Sequence, residues 1–336
     1  MNLINNNKTF IIAEAGCNHN GKISIAFKLI DAAKKSGANA VKFQIFNPIS
    51  LVSKNASKAP YSKNNVKNEK QLQMQKKISL NFNQFLKLQK YAVKKKIHIF
   101  YSVFDDKSLL FLKKLKVNII KIPSGEINNI PFLKNISKLN KEIILSTGMA
   151  EMKEIYNAVK VLKKNTKLKK INILHCVSLY PTKINELNLL SIKYLKSKFM
   201  LNVGLSDHST SIIVPSLAVC MGAKIIEKHI TLNKKLKGPD HFMSLDPMEF
   251  RQMVDLVRKT ELSLGKFEKK PSSKEKKIRL YARKSIVAKK IIKKGEIFTK
   301  FNLTLKRPGN GIEPNRIGKF YGRKSKCNYK IDDLIK

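Results

Sequence analysis

The sequence predicts an α/β fold: a closed eight-stranded parallel (β/α)8 barrel, the TIM barrel, followed by a small, mostly β domain. Three observations carry that expectation. Eight short apolar segments alternate with stretches of helical periodicity, polar residues gather where those segments end, and the character of the chain changes after Gly265.

The first segment is FIIAEAG (10–16), after which Ile23, Ala26, Phe27, Ile30 and Ala33 recur at helical spacing. AVKFQIF (40–46), IHIFYSV (97–103), VNIIKIPSG (117–125), EIILSTG (142–148), INILHCVS (171–178), MLNVGLSDH (200–208) and KIIEKHIT (224–231) follow. Helix-like stretches such as Glu151 to Lys163 and Ser211 to Cys220 separate them. Strands this continuously apolar suit a sheet covered on both faces. An open doubly wound sheet is the other arrangement, but no GxGxxG turn follows the first strand. The polar stretch from Asn47 to Gln75 is a long loop over the barrel mouth, and such loops tend to carry function. The barrel therefore spans 1–265. The charged segment GKFEKKPSSKEKKIRLYARK marks a linker over 266–284. Short alternating runs around the turn RPGNGIEP make 285–336 the small β domain.

Composition narrows the function classes. A 336-residue chain with 43% hydrophobic residues has ample material for a core, and no stretch approaches the roughly 20 apolar residues of a membrane span. The start, MNLINNNKTF, has no apolar leader, and Cys17, Cys176, Cys220 and Cys327 lack CxxC spacing. Both features lead us to expect a cytoplasmic protein without disulfides or structural zinc. The net charge of +45 invites a nucleic-acid reading. However, the seven arginines all lie from Arg251 onward and the lysines are spread along the whole chain, which describes a solvated coat rather than a binding stripe.

The strand ends hold the candidate site. Glu14 closes the first strand, and Lys42 on the next is available to pair with it, since a buried carboxylate is costly alone. Lys42 and Gln44 alternate with Val41 and Phe43, so both face the barrel interior. Lys121 and Ser124 emerge from the fourth strand and Ser146 from the fifth, cations and hydroxyls enough for a phosphate and a carboxylate. Ser178 and Tyr180 follow the sixth strand. The motifs GLSDHS and EKHITL place His208 and His229 at the ends of neighbouring strands, and GPDHF adds Asp240. Two imidazoles are too few for structural zinc but suit a loosely held divalent ion with positions open to substrate. His19, in the turn CNHNG, has the local surroundings of a turn residue.

AEAGCNHNG, AVKFQIF, KIPSGE, LSTGM, HCVSLYP, GLSDHS, EKHITL and GPDHFMSLDP, in this order, resemble the bacterial N-acetylneuraminate (sialic acid) synthase family. KRPGNGIEP resembles the arginine-bearing loop of that family's antifreeze-like SAF domain. The resemblance implies a condensation of phosphoenolpyruvate with an N-acylated hexosamine, typically open-chain N-acetylmannosamine, to give a nonulosonic acid and phosphate. It further implies that His208 and His229 hold the metal, Mn²⁺ first, with Mg²⁺ or Co²⁺ as alternatives. Lys42, Lys121, Ser124, Ser146 and Ser206 would hold phosphoenolpyruvate; Gln44, Tyr180, Asp240 and Glu14 would face the sugar, with Glu14 managing protons. Arg307 would reach the N-acyl group from the partner subunit of a domain-swapped homodimer, with no nucleic acid or membrane involved. Ser178 and Asn233 depart from the family pattern, and legionaminate and pseudaminate synthases share the same motifs. A 2,4-diacetamido-2,4,6-trideoxyhexose is therefore the alternative substrate. A metal-dependent aldolase or sugar isomerase on the same barrel and a non-catalytic carbohydrate-binding protein are the remaining readings.

Overall fold

The computed structural model describes residues 8–57 and 70–336; the extreme N-terminus and the centre of the Asn47 to Gln75 loop lie outside the described residues. The chain divides into two compact units, one ending at Gly265 and the other running from Lys266 to Lys336.

The first unit is a closed barrel of parallel strands in chain order: β1 (Phe10–Gly16), β2 (Ala40–Ile45), β3 (His98–Val103), β4 (Ile119–Ile122), β5 (Glu142–Ser146), β6 (Ile171–Cys176), β7 (Asn202–Asp207) and β8 (Ile225–His229). All eight coincide with the segments expected from the sequence. Around them run α1 (Ile23–Lys35), α2 (Pro48–Leu51), α3 (Gln71–Ile78), α4 (Phe82–Lys94), α5 (Asp106–Lys114), α6 (Ile130–Ser137), α7 (Met152–Leu162), α8 (Leu190–Phe199), α9 (Val214–Cys220) and α10 (Pro247–Leu264). α10 shows how local chemistry sets an element. Asp246 accepts from the amides of Met248 and Glu249, Glu249 accepts from the amide of Asp246, and Pro247 fills the first turn. Phe250, Met253, Val254 and Val257 then recur on its buried face.

Side chains of a strand alternate between faces, so residues two apart share one. The outward set, Ile11, Ala13, Val41, Phe43, Tyr101, Ile120 and their counterparts, packs against the helices in one large core. The inward set begins as a small apolar layer that includes Ile12, Ala40, Phe100, Ile119, Ile144, Leu174 and Ile225. Two residues further along most of the same strands come Glu14, Lys42, Ser102, Lys121, Ser146, Cys176 and Glu227, so polarity rises toward the C-terminal mouth in a single step. On β7 the matching inward residue below the mouth is Gly204. An added Cβ there would lie 2.3 Å from the Ile225 carbonyl oxygen and 2.7 Å from Leu174, so the neighbouring strand leaves no room for a side chain.

One ion pair sits on the helix-facing side. Asp207 and Lys228 are register partners on β7 and β8, and their side chains meet at 2.6 Å with no solvent exposure. The Lys228 ammonium also donates to the carbonyl oxygen of Ser209. Each residue of the pair precedes a histidine of the mouth. The turn after β1 is fixed just as locally, as the sequence suggests for His19: His19 Nδ1 accepts from the Gly21 amide at 3.1 Å. His241 Nδ1 lies 2.7 Å from Thr231 Oγ1, tying the loop after β8 to itself.

The second unit is built on a two-stranded antiparallel sheet, β9 (Ser285–Ala288) with β10 (Leu303–Lys306), around a core of Ile286, Ala288, Ile292, Phe298, Leu303, Tyr329 and Ile335. The segment expected to be a linker is not wholly irregular: it contains the helix α11 (Ser273–Ala282). Ser272 and Glu275 form a reciprocal capping box that starts it, a signal the high charge of the segment obscures.

Replacing Lys228 with Met would leave the Asp207 carboxylate buried without its partner. We expect a loss of about 3–5 kcal/mol in urea unfolding, the range for breaking a buried pair from one side. Burial also pushes both His19 and His241 down to about 4. Their unfolded forms take up protons near 6.5, so the contribution of each neutral ring to stability is complete above that pH. It is lost as the pH falls from about 6.5 toward 4, up to about 3 kcal/mol per ring. His241→Gln should flatten this slope in unfolding measured across pH 4–7, and an unchanged slope would contradict the assignment.

Candidate active site

The mouth of the barrel holds a cavity of about 410 Å³. Every candidate site residue on the barrel lines it: Glu14, Lys42, Gln44, Lys121, Ser124, Ser146, Tyr180, Ser206, His208, His229 and Asp240. Arg307 belongs to the second unit, directly after β10.

The floor is a cluster of four buried charges. Lys42 Nζ lies 2.6 Å from Glu14 Oε2 and 3.7 Å from Glu227 Oε2, and donates to Ser102 Oγ at 2.8 Å. Lys121 Nζ lies 2.9 Å from Glu227 Oε1, which also accepts from Ser206 Oγ at 3.0 Å. Gln44 Nε2 donates to Glu14 Oε1 at 2.9 Å. Burial alone would raise Glu227, but Lys121 and then Lys42 more than offset it and hold the carboxyl at about 2. Burial outweighs the Lys42 attraction at Glu14 and pushes that carboxyl up. At Lys121 burial pulls the ammonium down despite Glu227. An ammonium has three donors, so Lys42 keeps one N–H for a ligand after serving Glu14 and Ser102, and Lys121 keeps two after serving Glu227.

Register explains the convergence. Glu14 is the Cα partner of Lys42 on one side and of His229 on the other, and Ser206 is the partner of Glu227. Beyond β4, Ser124 sits in a short 3-10 turn and accepts from the Gly148 amide at 2.9 Å. Ser146 Oγ is buried, with no hydrogen-bond partner among the described residues. Thr147, next to it, turns its hydroxyl to the Leu174 carbonyl at 2.9 Å, and α7 begins only at Met152. The hydroxyls here are thus presented by the strand end, not by a helix N-terminus.

The two imidazoles meet above this floor, their ring centroids 5.6 Å apart. His208 Nδ1 lies 2.7 Å from the Val177 carbonyl oxygen, which calls for the proton on Nδ1 and leaves Nε2 a free lone pair. Tyr180 stacks on His208 at 4.1 Å and meets His229 edge-on at 6.4 Å. His229 Nδ1 is buried with no hydrogen-bond partner among the described residues, 3.8 Å from Asp240 Oδ2. Burial, reinforced by His208, holds the His229 ring well below its usual range and therefore neutral. A neutral ring with an uncommitted nitrogen is what a borderline divalent cation requires, and His229 provides one. At His208 burial pulls the ring down, but Cys176 and the Val177 carbonyl more than offset it and raise it, so an ion bound there would displace a proton. Among the described residues no set of three or more His, Cys, Asp or Glu side chains gathers as a complete cage, so an ion held here would keep positions for water and substrate oxygen.

Sequence reasoning passed over Glu227, which braces Lys121 and Ser206. The signal is the strand period: Glu227 stands two residues before His229 on the same face, and the inward Lys121 requires an anion. It also missed Cys17 and Cys176, and the wall formed by Met74, Gln75 and Ile78 of α3 with Phe104. Gly16 completes the side of the cavity that holds Glu14, Gln44 and Asp240. At φ +47° it favours glycine, and a Cβ there would lie 3.1 Å from Glu14 Oε1, 3.4 Å from Gln44 Nε2 and 3.6 Å from Asp240 Oδ2.

Buried cations and hydroxyls beside paired imidazoles, all at the C-terminal mouth, define a (β/α)8 enzyme acting on a small anionic substrate. Comparison with known proteins makes the class specific. The NeuB family model matches residues 29–269 and the SAF domain model residues 283–336. The chain is 48% identical over 331 residues to the N,N'-diacetyllegionaminic acid synthase of Campylobacter jejuni, covering 98% of this chain and 99% of that one. It is 42% identical over 323 residues to the synthase of the same name from Legionella pneumophila, covering 95% and 91%. Among solved structures, the N-acetylneuraminic acid (sialic acid) synthetase of Leptospira borgpetersenii matches with a TM-score of 0.71 and 36% identity, over 80% of this chain and 90% of that chain. The chain belongs to the NeuB family. It is a phosphoenolpyruvate-dependent nonulosonic acid synthase carrying a C-terminal SAF domain.

Proposed function

We propose that the chain condenses phosphoenolpyruvate with open-chain 2,4-diacetamido-2,4,6-trideoxymannose to give N,N'-diacetyllegionaminic acid and phosphate. The convergence of His208 and His229 above Lys42 and Lys121 supports the reaction. The Campylobacter jejuni and Legionella pneumophila relatives support this sugar over the N-acetylmannosamine expected from the sequence. N-acetylmannosamine remains the second reading, favoured by the Leptospira borgpetersenii structure.

Lys42, Lys121, Ser124, Ser146 and Ser206 hold the phosphate and carboxylate of phosphoenolpyruvate. His208 and His229 would hold a divalent ion, Mn²⁺ first, which when bound would supply Lewis-acid polarisation of the sugar aldehyde. C3 of phosphoenolpyruvate attacks the aldehyde carbon, and the positive charge left at C2 is tolerated because the substrate's own anions stay beside it. Water adds at C2 and phosphate departs. Glu14, its carboxyl raised by burial, exchanges a proton with that water, while Gln44, Tyr180 and Asp240 orient the sugar. Arg307 of the partner subunit reaches the N-acyl group in a domain-swapped homodimer.

Phosphate release with phosphoenolpyruvate and Mn²⁺, measured across N-acetylmannosamine, the diacetamidotrideoxymannose and its altrose analogue, should be fastest with the second. Release independent of the sugar, or none with any of them, would remove the proposal. His208→Ala should lower kcat/KM on the order of 10³-fold, corresponding to several kcal/mol of transition-state stabilisation. Mixing His208→Ala with Arg307→Ala protein under subunit exchange should regain part of the activity. With exchange verified, absence of recovery would rule out the shared site.

A further inference from the structure

We propose that Gln75 is a specificity-determining residue: its side-chain amide receives the 4-acylamino group of the sugar, and the apolar surface around it receives the adjacent 6-methyl end. This rests on the reading of the site as a nonulosonic acid synthase using a diacetamido sugar. Gln75 comes from α3, in the described part of the long loop between β2 and β3. Residues 74, 75 and 78 share one face of that helix, and all three line the cavity. Oε1 of Gln75 is buried without a hydrogen-bond partner among the described residues. A buried amide oxygen left unpaired costs free energy, so its presence at a cavity wall calls for a donor from the ligand.

The position within the cavity assigns the donor. The anion-holding groups Lys121, Ser124, Ser146 and Ser206 stand on or after β4, β5 and β7, and the aldehyde end belongs between the imidazoles of β7 and β8. The sugar chain must then run along β1 and β2, past Glu14 and Gln44, toward the α3 wall. That wall is otherwise apolar: Ile78 packs with Cys17 and Phe46, joined by Leu51 and Phe104, and Met74 lies on the same face of the cavity. A hexosamine with free hydroxyls at C4 and C6 would leave polar groups against Met, Ile and Phe. A 4-acylamino, 6-deoxy sugar presents one N–H for Gln75 and methyl groups for the rest.

The experiment compares wild type and Gln75→Leu, a near-isosteric change that removes the amide, on two sugars: the diacetamidotrideoxymannose and its analogue bearing a 4-hydroxyl. For the diacetamido sugar the variant should raise KM roughly five- to thirty-fold, the effect of one lost buried hydrogen bond, leaving kcat and the KM for phosphoenolpyruvate within about twofold. For the hydroxyl analogue KM should stay put or fall. Equal KM changes for both sugars, or no change for either, would overturn the assignment while leaving the synthase reading standing. Failure of the wild type to use the diacetamido sugar at all would overturn both. A thermal melt of Gln75→Leu matching wild type confines the result to binding.

Discussion

The site depends on a charge-balanced cluster sealed inside the barrel. Glu14, Glu227, Lys42 and Lys121 are all at least 96% buried by surface area, and removing any one would leave its partner charged in a medium that solvates it poorly. Two carboxylates offset two ammoniums, and Ser102, Ser206 and Gln44 fill remaining hydrogen-bonding capacity. Such a cluster is poor evidence for stability, because an apolar layer of equal volume would serve as well. Its value is positional. The ammoniums are held in one place before any substrate arrives, so a bound anion meets donors that need no reorganisation.

The same strand period that builds the apolar layer also delivers this cluster. Ile12 and Glu14, Ala40 and Lys42, Ile119 and Lys121, Ile225 and Glu227 are successive inward positions. Each strand therefore carries its own boundary between packing and chemistry. The outward pair Asp207–Lys228 works on the opposite side of the same two strands, one residue before His208 and His229, and its ammonium also holds the Ser209 carbonyl that follows His208. Histidine convergence is thereby built from both faces: the inward registers set height, and the outward ion pair sets spacing.

This periodic logic is why so much was legible in the sequence. Strand boundaries, the inward facing of Lys42 and Gln44 and the meeting of His208 with His229 follow from spacing and chain order alone. The helix in the presumed linker was hidden because a lysine-rich surface helix and a charged connector look alike, and only Ser272 with Glu275 tells them apart. Glu227 was hidden by its neighbour His229, although its parity placed it inside. The α3 wall was hidden for a different reason. Met74, Gln75 and Ile78 reach the cavity through the path of a long loop, and periodicity within a strand does not report that path.

That difference separates reaction from specificity in this fold. The lysines, hydroxyls and imidazoles to which we assign the condensation stand at strand ends, where geometry is dictated by a closed sheet and tolerates little change. Groups that face the variable end of the sugar stand on a helix inserted into a loop, where sequence can change without disturbing the barrel. One barrel can therefore be shared by synthases named for different nonulosonic acids, such as those of Campylobacter jejuni and Leptospira borgpetersenii. It follows that overall identity, being dominated by the barrel, speaks more strongly about the condensation than about the sugar, and that the few side chains of the α3 wall bear on the choice of substrate out of proportion to their number.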